Sequence, residues 1–280
     1  MKETLREDFD RKVVVESFGA RILLQSSSKE LLEMAVKRAY SALLGQLTII
    51  ENTEDAEAGI DYRFALDFDE EGEWYLREND QKTNYGGSEF IFFKYFDSML
   101  RLRVAENAHD RVFVHAGVVG WMGQAVMIPA TSFKGKTTLV AELIRNGAEY
   151  YSDEYALLDA NGLVHPFPRN LTLRDQDVEL GVSSVAPEAL GGRVGRNAIS
   201  VGAVLFTEYQ DGAAWDPVRM TVGQGIMETI PHTIPVHADT KNSLEVLNKA
   251  YKGAIIAKSF RGDAKRVCPE ILAFLDIHLN

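Results

Sequence analysis

A chain of 280 residues, 46% of them hydrophobic and 25% charged, has room for one large domain or a main domain with a smaller companion, and its composition is that of an ordinary soluble globular protein. A formal net charge of −11 excludes a broad electrostatic grip on nucleic acid or on an anionic membrane, though a single loop and helix end can still hold a phosphate cluster. Cys268 is the lone cysteine, so no internal disulfide is available, and no Cys/His group has zinc-ligand spacing.

The opening MKETLREDFDRK lacks the apolar centre of a signal peptide, and no run approaches the length of a membrane span, so the expected location is cytoplasmic. Residues 13–24 (VVVESFGARILL) read as strand. Ser27 followed three positions later by Glu30 reads as a capping box. Leu31, Leu32, Ala35, Val36, Ala39 and Leu43 then form one helical stripe, which Gly45 stops. Acidic residues dominate 51–59, an expected loop. The alternation in 62–68 and 73–77 predicts a hairpin. The polar stretch 78–88, with Gly86-Gly87, predicts a boundary between an N-terminal α/β portion (1–88) and the rest (89–280).

Phe92, Phe93, Phe96, Leu100 and Val104 fall at helical spacing and predict a core-packed helix over 89–107. Strands are expected at 111–119 and 124–129, a helix over about 136–146, and further strands at 149–151, 155–158, 163–165 and 199–207. The last 40 residues read as helical. Alternating strands and helices predict an α/β core.

The chemistry is concentrated between two of these elements. Ala130-Thr131-Ser132-Phe133-Lys134-Gly135-Lys136-Thr137 matches the end of the phosphate loop G-x-x-x-x-G-K-[ST], with Ala130 and Phe133 standing where glycine is common. The apolar strand Ala125–Ile128 leads into it and an amphipathic helix leads out. A lysine at a helix start opposes the helix dipole unless an anion sits there, so Lys136 is expected to face a phosphate. Backbone N–H groups along Ser132, Phe133, Lys134 and Gly135 would cradle the β-phosphate. Lys136 would neutralise β/γ oxygens, Thr137 would ligate Mg²⁺, and Thr138 would add a hydrogen bond. Ala130 is expected to adopt the loop's special backbone conformation at some cost.

One helix later, Tyr150-Tyr151-Ser152-Asp153-Glu154 is a short apolar strand ending in two acids. In phosphoryl transfer one carboxylate orients or deprotonates the attacking hydroxyl, and another helps to hold the metal. His115, inside the apolar 112–119, reads from its surroundings as a satisfied core histidine.

Taken together, these residues resemble the catalytic domain of HPr kinase/phosphorylase and the wider HPr-kinase-like serine kinases. There a His-bearing strand precedes the phosphate loop, and a strand ending in two acids follows it. The segment Leu158–Arg169, a D-x-x-G turn leading to a proline-rich Arg segment, is also similar. The resemblance covers about 109–174, is looser beyond, and does not reach 1–88.

It implies a phosphoenolpyruvate-carboxykinase-like P-loop domain with a mixed sheet, using ATP and Mg²⁺. It implies Asp153 as acid/base, Glu154 as metal support and His115 at the active site. Arg169, Arg193 and Arg196 become candidates for phosphate or substrate, with Gly191–Arg196 read as either a mobile lid or a plain exposed loop. The expected activity is transfer of the γ-phosphoryl group to a hydroxyl, on Ser of a peptide or small protein. The alternatives are a kinase of a free small metabolite and a nucleotide-binding regulatory protein that does not transfer. Neither nucleic acid nor membrane is an expected partner, and homo-oligomerisation is left open.

Overall fold

Phe18 and Gly19, at φ 52° and 80°, fold the first apolar run of this computed structural model into a hairpin of β1 (Arg11–Ser17) and β2 (Ala20–Ser26). Two successive residues at positive φ suit a tight turn whose twist matches that of the flanking strands. The structure describes residues 9–50, 59–79, 81–84, 88–130, 135–174 and 181–279. The chain divides into two compact units, Met1–Asp110 and Arg111–Asn280.

In the first unit, helix α1 (Lys29–Ala42) is capped by Ser28, whose hydroxyl accepts from Leu31 N–H at 3.2 Å. The cap is one residue later than the sequence suggested, because Ser27 N–H is taken by Asp67 Oδ2 at 2.9 Å. Strands β3 (Thr48–Ile50), β4 (Tyr62–Phe68), β5 (Trp74–Glu78) and β6 (Gln81–Asn84) complete a six-stranded sheet ordered β3-β1-β2-β4-β5-β6.

Helix α2 (Glu89–Asn107) buries Phe92, Phe93, Phe96, Leu100 and Val104 in one core with Leu31 and Ala35 of α1 and Ile22, Leu24, Phe64 and Leu66 of the sheet. The boundary expected at 88/89 is therefore corrected to 110/111. The aromatic stripe of α2 finds its apolar partners on the N-terminal sheet, so the helix belongs to that unit.

The second unit begins with the hairpin β7 (Val112–Trp121) and β8 (Gln124–Pro129). Helix α3 (Lys136–Arg145) precedes β9 (Glu149–Ser152), β10 (Tyr155–Leu158) and β11 (Val164–His165). β12 (Leu171–Arg174) and β13 (Val182–Val185) form a separate two-stranded ladder. Then come β14 (Val201–Tyr209), β15 (Val218–Arg219), α4 (Val222–Thr229), α5 (Thr240–Tyr251), β16 (Ile255–Arg261) and α6 (Ala264–His278).

The eight-stranded sheet runs β11-β10-β7-β8-β14-β16-β15, with β9 also on β7. It is mixed: β8, β14 and β16 are parallel neighbours, while β7/β8, β7/β10 and β15/β16 are antiparallel. Side chains alternate along each strand, so its two faces carry separate cores. Leu205 and Ala257 pack with Leu139 and Leu143 of α3 and Ile271 and Leu275 of α6. Val204, Phe206 and Ile256 pack with Leu247 and Tyr251 of α5 and with Ile226 of α4. This is a mixed α/β fold with helices on both faces of a mixed sheet.

The expectation that the last 40 residues are helical is corrected by β16, which separates α5 from α6 and pairs with β14 from Ala203↔Ile255 to Tyr209↔Arg261. Among the described residues no helix is long and apolar enough to cross a membrane.

Candidate active site

The site is organised around the middle of β7. On one side of that strand Ala116 pairs with Pro129 and Gly117 with Ile128, the last residues before the loop. On the other side His115 pairs with Tyr155 and Val118 with Ser152, so Asp153 falls opposite Gly117 and Glu154 opposite Ala116. The break between β9 and β10 is made by Ser152, whose hydroxyl accepts from the N–H groups of Glu154 (3.2 Å) and Tyr155 (3.1 Å). Ala116 N–H donates to the Glu154 carbonyl at 3.3 Å, which ties the bend to β7. A serine hydroxyl bonding its own backbone two and three residues on is a compact way to turn a chain.

Above β7 lies the start of α3. Gly135 is its N-cap at φ 78°, with no side-chain cap and no acid in the first turn. Its carbonyl accepts from Arg261 Nη2 at 2.7 Å, and a Cβ there would stand 2.6 Å from the same nitrogen. Both the left-handed backbone and this close approach require glycine. Lys136 follows and is buried, only 8% exposed. Its stem crosses Gly117, where a Cβ would lie 3.2 Å from Lys136 Cγ.

The electrostatics follow from burial. Desolvation brings the Lys136 ammonium down to about 8, opposed by Asp153 and Glu154. Desolvation pushes the Asp153 carboxyl up to about 6, opposed by a side-chain hydrogen bond with Thr137 and by Lys136. Asp153 Oδ1 is buried and has no hydrogen-bond partner among the described residues. Burial, then the Lys136 and His232 charges, hold His115 down at about 4. His232 is lowered by burial and by Lys136, with Glu228 opposing.

These groups open into one cleft of about 680 Å³, which gathers His115, Gly135, Lys136, Thr137, Thr138 and Asp153 from the sequence-predicted set. Glu154 and Arg169 are not among its described lining. They face each other instead, Arg169 Nη1 lying 3.4 Å from Glu154 Oε2. Ser132, Phe133 and Lys134 lie outside the described residues. Ala130 is buried, and the described non-glycine residues at positive φ are Phe18, Leu44, Asn79 and Met122. The backbone cost expected of Ala130 is therefore absent.

The lid reading of Gly191–Arg196 is also corrected. Tyr150 N–H donates to the Arg193 carbonyl (2.7 Å), Gly195 N–H donates to the Tyr150 carbonyl (2.9 Å), and Val194 makes a parallel bridge to Tyr150. The segment is stitched to β9. Arg193 reaches Glu149 at 3.6 Å, and neither Arg193 nor Arg196 is among the cleft's described lining.

Sequence reasoning missed three residues. Arg261 and Tyr209 line the cleft from the adjacent ends of β16 and β14. The alternation in Ile255–Arg261 was the available signal for that strand. His232 sits in a 3-10 turn that reaches β7 through the bridge Val114↔Thr233, and no local pattern announces it.

The residues present fit a phosphate. A buried ammonium and the helix N-terminus at Gly135 border one space and suit an anion, while the buried Asp153 oxygen beside them suits a proton or a cation between it and that anion. Among the described residues no group of three or more His, Cys, Asp or Glu could hold a metal ion. Mg²⁺ on a nucleotide takes most of its ligands from phosphate and water and needs only one or two protein oxygens, which Thr137 and the acids of the 153–154 bend could supply.

No protein-family model matches the chain, and no curated protein matches it in sequence. Among solved structures it is similar to the Hpr(Ser) kinase/phosphatase from Coxiella burnetii, at 15% identity and a TM-score of 0.35, over 59% of this chain and 95% of that one.

Proposed function

We propose that the protein binds ATP at the N-terminus of α3 and transfers its γ-phosphoryl group to a hydroxyl, on Ser of a peptide or small protein. The observation that carries this reading is the pairing of a buried Lys136 with a buried, partly unsatisfied Asp153 at the mouth of an uncapped helix, all lining one cleft. A buried cation and a buried acid with raised proton affinity are costly to keep for packing alone and useful for charge transfer.

In this reading, Lys136 and the α3 N–H groups hold the β/γ oxygens and spread the charge that develops on transfer. Asp153 accepts the proton of the incoming hydroxyl through the oxygen that has no partner among the described residues. His115, neutral at ordinary pH, offers a ring nitrogen at the same cleft without adding charge. Arg261 fixes the Gly135 carbonyl and so the direction of the loop's last peptide. Mg²⁺, held by Thr137 and an acid of the 153–154 bend, would neutralise the triphosphate.

The test is incubation with ATP, Mg²⁺ and candidate hydroxyl acceptors, followed by mass spectrometry for phosphate addition. Lys136→Ala is expected to abolish ATP turnover. Asp153→Asn is expected to remove transfer and leave ATP affinity near that of the parent, and full transfer by Asp153→Asn would refute the assigned role.

A further inference from the structure

β8, β14 and β16 run parallel, so their C-terminal ends, Pro129, Tyr209 and Arg261, fall along one edge of the sheet. Ligands of parallel sheets settle in the crevice beyond such ends. Asp153 stands at one limit of this row, beside β7 and across it from β8. Asp263, two residues past β16, stands at the other limit, and both line the same cleft. The start of α3 bridges the two limits: the Lys136 stem crosses Gly117 of β7, and the Gly135 carbonyl accepts from Arg261.

We propose that the β14/β16 end of this cleft is its nucleoside subsite, where the base stacks on the Tyr209 ring and a ribose hydroxyl donates to the Asp263 carboxylate. The assignment deepens the reading of ATP binding at α3 and rests on it.

Direction comes first. An acid that takes the acceptor's proton must stand at the γ-phosphate, so the γ end lies with Asp153 and the nucleoside lies away from it. With neighbouring strands about 4.8 Å apart, three spacings put the strand that leads to Asp153 about 14 Å from β14. Charge agrees with this direction. Asp211 and Asp263 both lie within electrostatic reach of the Tyr209 phenol, which disfavours phosphate at this end and suits hydroxyl donors.

The stacking surface is the Tyr209 ring alone. The Arg261 guanidinium backs one face of it, 5.9 Å from the ring centroid, and is itself buried. Tyr209 is 50% exposed, which leaves the other face to a ligand. Its Cβ lies 3.7 Å from where a Cβ on Gly135 would stand, so the ring begins beside the cap of α3. Its hydroxyl donates to Asp211 Oδ1 at 3.3 Å, which holds the angle of the ring. Asp263 is also held in place. Its Oδ1 accepts from the N–H groups of Lys265 (3.0 Å) and Arg266 (3.2 Å) at the start of α6. The residue is exposed, and Oδ2 makes no hydrogen bond among the described residues. A fixed carboxylate with an open oxygen is the group that reads ribose hydroxyls in dinucleotide sites.

The probes are ATP, 2′-deoxy-ATP, 3′-deoxy-ATP and inorganic tripolyphosphate, each with Mg²⁺, titrated calorimetrically into the full chain. The variants are Tyr209→Leu and Asp263→Ser. Both positions are exposed, serine keeps the α6 cap, and thermal melts verify folding. The parent is expected to bind ATP more tightly than tripolyphosphate and more tightly than at least one deoxy form. Tyr209→Leu should lower ATP affinity about tenfold or more and leave tripolyphosphate affinity unchanged. Asp263→Ser should bring ATP down to the level of the weaker deoxy form.

A parent that binds tripolyphosphate as tightly as ATP overturns the subsite. ATP and tripolyphosphate affinities that fall together in the variants also overturn it, since the two residues would then serve the phosphates. Unchanged ATP affinity in Tyr209→Leu overturns the stack. A parent that does not distinguish ATP from either deoxy form, or a preference for ATP that survives in Asp263→Ser, overturns the ribose contact. A parent that binds none of the four probes overturns the phosphate reading at α3 and this subsite with it.

Discussion

Lys136 reaches the site by lying across a residue that has no side chain: a Cβ on Gly117 would come 3.2 Å from Lys136 Cγ and 2.5 Å from Val140 Cγ2. Gly117 is not in a left-handed conformation, so the need for glycine here is one of space. The expected outcome for Gly117→Ala is an overpacked contact between β7 and α3, costing about 1–3 kcal/mol of stability. Lys136 must shift as well, so ATP affinity should fall by more than the same substitution costs elsewhere on β7. Thermal melts with and without ATP separate the two effects, because the stabilisation by ligand shrinks only if Lys136 has moved.

The pH dependence of transfer should be bell-shaped. Asp153 must be ionised to accept a proton and titrates at about 6, so kcat/KM should rise through that pH. Lys136 must be charged to hold phosphate and titrates at about 8, so the profile should fall above it. His115, at about 4, stays neutral across this range. Lys136 is one of the groups holding Asp153 down, so Lys136→Met should move the Asp153 titration upward, which NMR titration of the carboxyl would register.

Stability should follow its own pH course. The folded protein binds the Asp153 proton more tightly than an ordinary aspartate at 3.8, so from this group stability is greatest at low pH and falls as pH rises toward about 6. Lys136 acts in the reverse sense at alkaline pH: folding depresses its pKa from 10.5 to about 8, so its contribution improves as pH rises between those values. Chemical denaturation across pH should show both limbs, and Asp153→Asn should flatten the acidic one while leaving the alkaline one in place.

Much of the site was legible because it is local in sequence. Strand, loop, helix and acidic strand end follow one another over 112–154, and each has its own pattern: apolar alternation in β8, glycine at the cap of α3, two acids after Tyr150-Tyr151. The helix over 89–107 was also plain from its aromatic spacing. Its allegiance was not, because which sheet an apolar stripe packs on is a tertiary fact. The parts that escaped arrive from a distance. Arg261 meets Gly135 across 126 positions, and β16 is a seven-residue strand set between two helices, whose alternation says nothing of which loop its last residue will meet. His232 owes its place to a single bridge with β7.

Arg261 yields the last prediction. It is 1% exposed, and its Nη1 and Nη2 donate to two carbonyls on different segments, Gly262 at 3.0 Å and Gly135 at 2.7 Å. A planar fork can span both at once, and a lysine ammonium on a flexible stem cannot reproduce that geometry. Arg261→Lys should therefore keep the charge and lose the hold on the cap of α3. If the Gly135 carbonyl is left without its partner in a buried setting, the cost is about 1–3 kcal/mol. The loop's last peptide then becomes free to rotate away from the orientation that nucleotide binding uses, so the larger effect should appear in ATP affinity, and the turnover of bound ATP should change less. Single-turnover kinetics at saturating ATP, set beside a binding titration, distinguish this from a catalytic role. A variant that binds ATP normally but turns it over slowly would mean that Arg261 acts on the reacting phosphate and not on the loop.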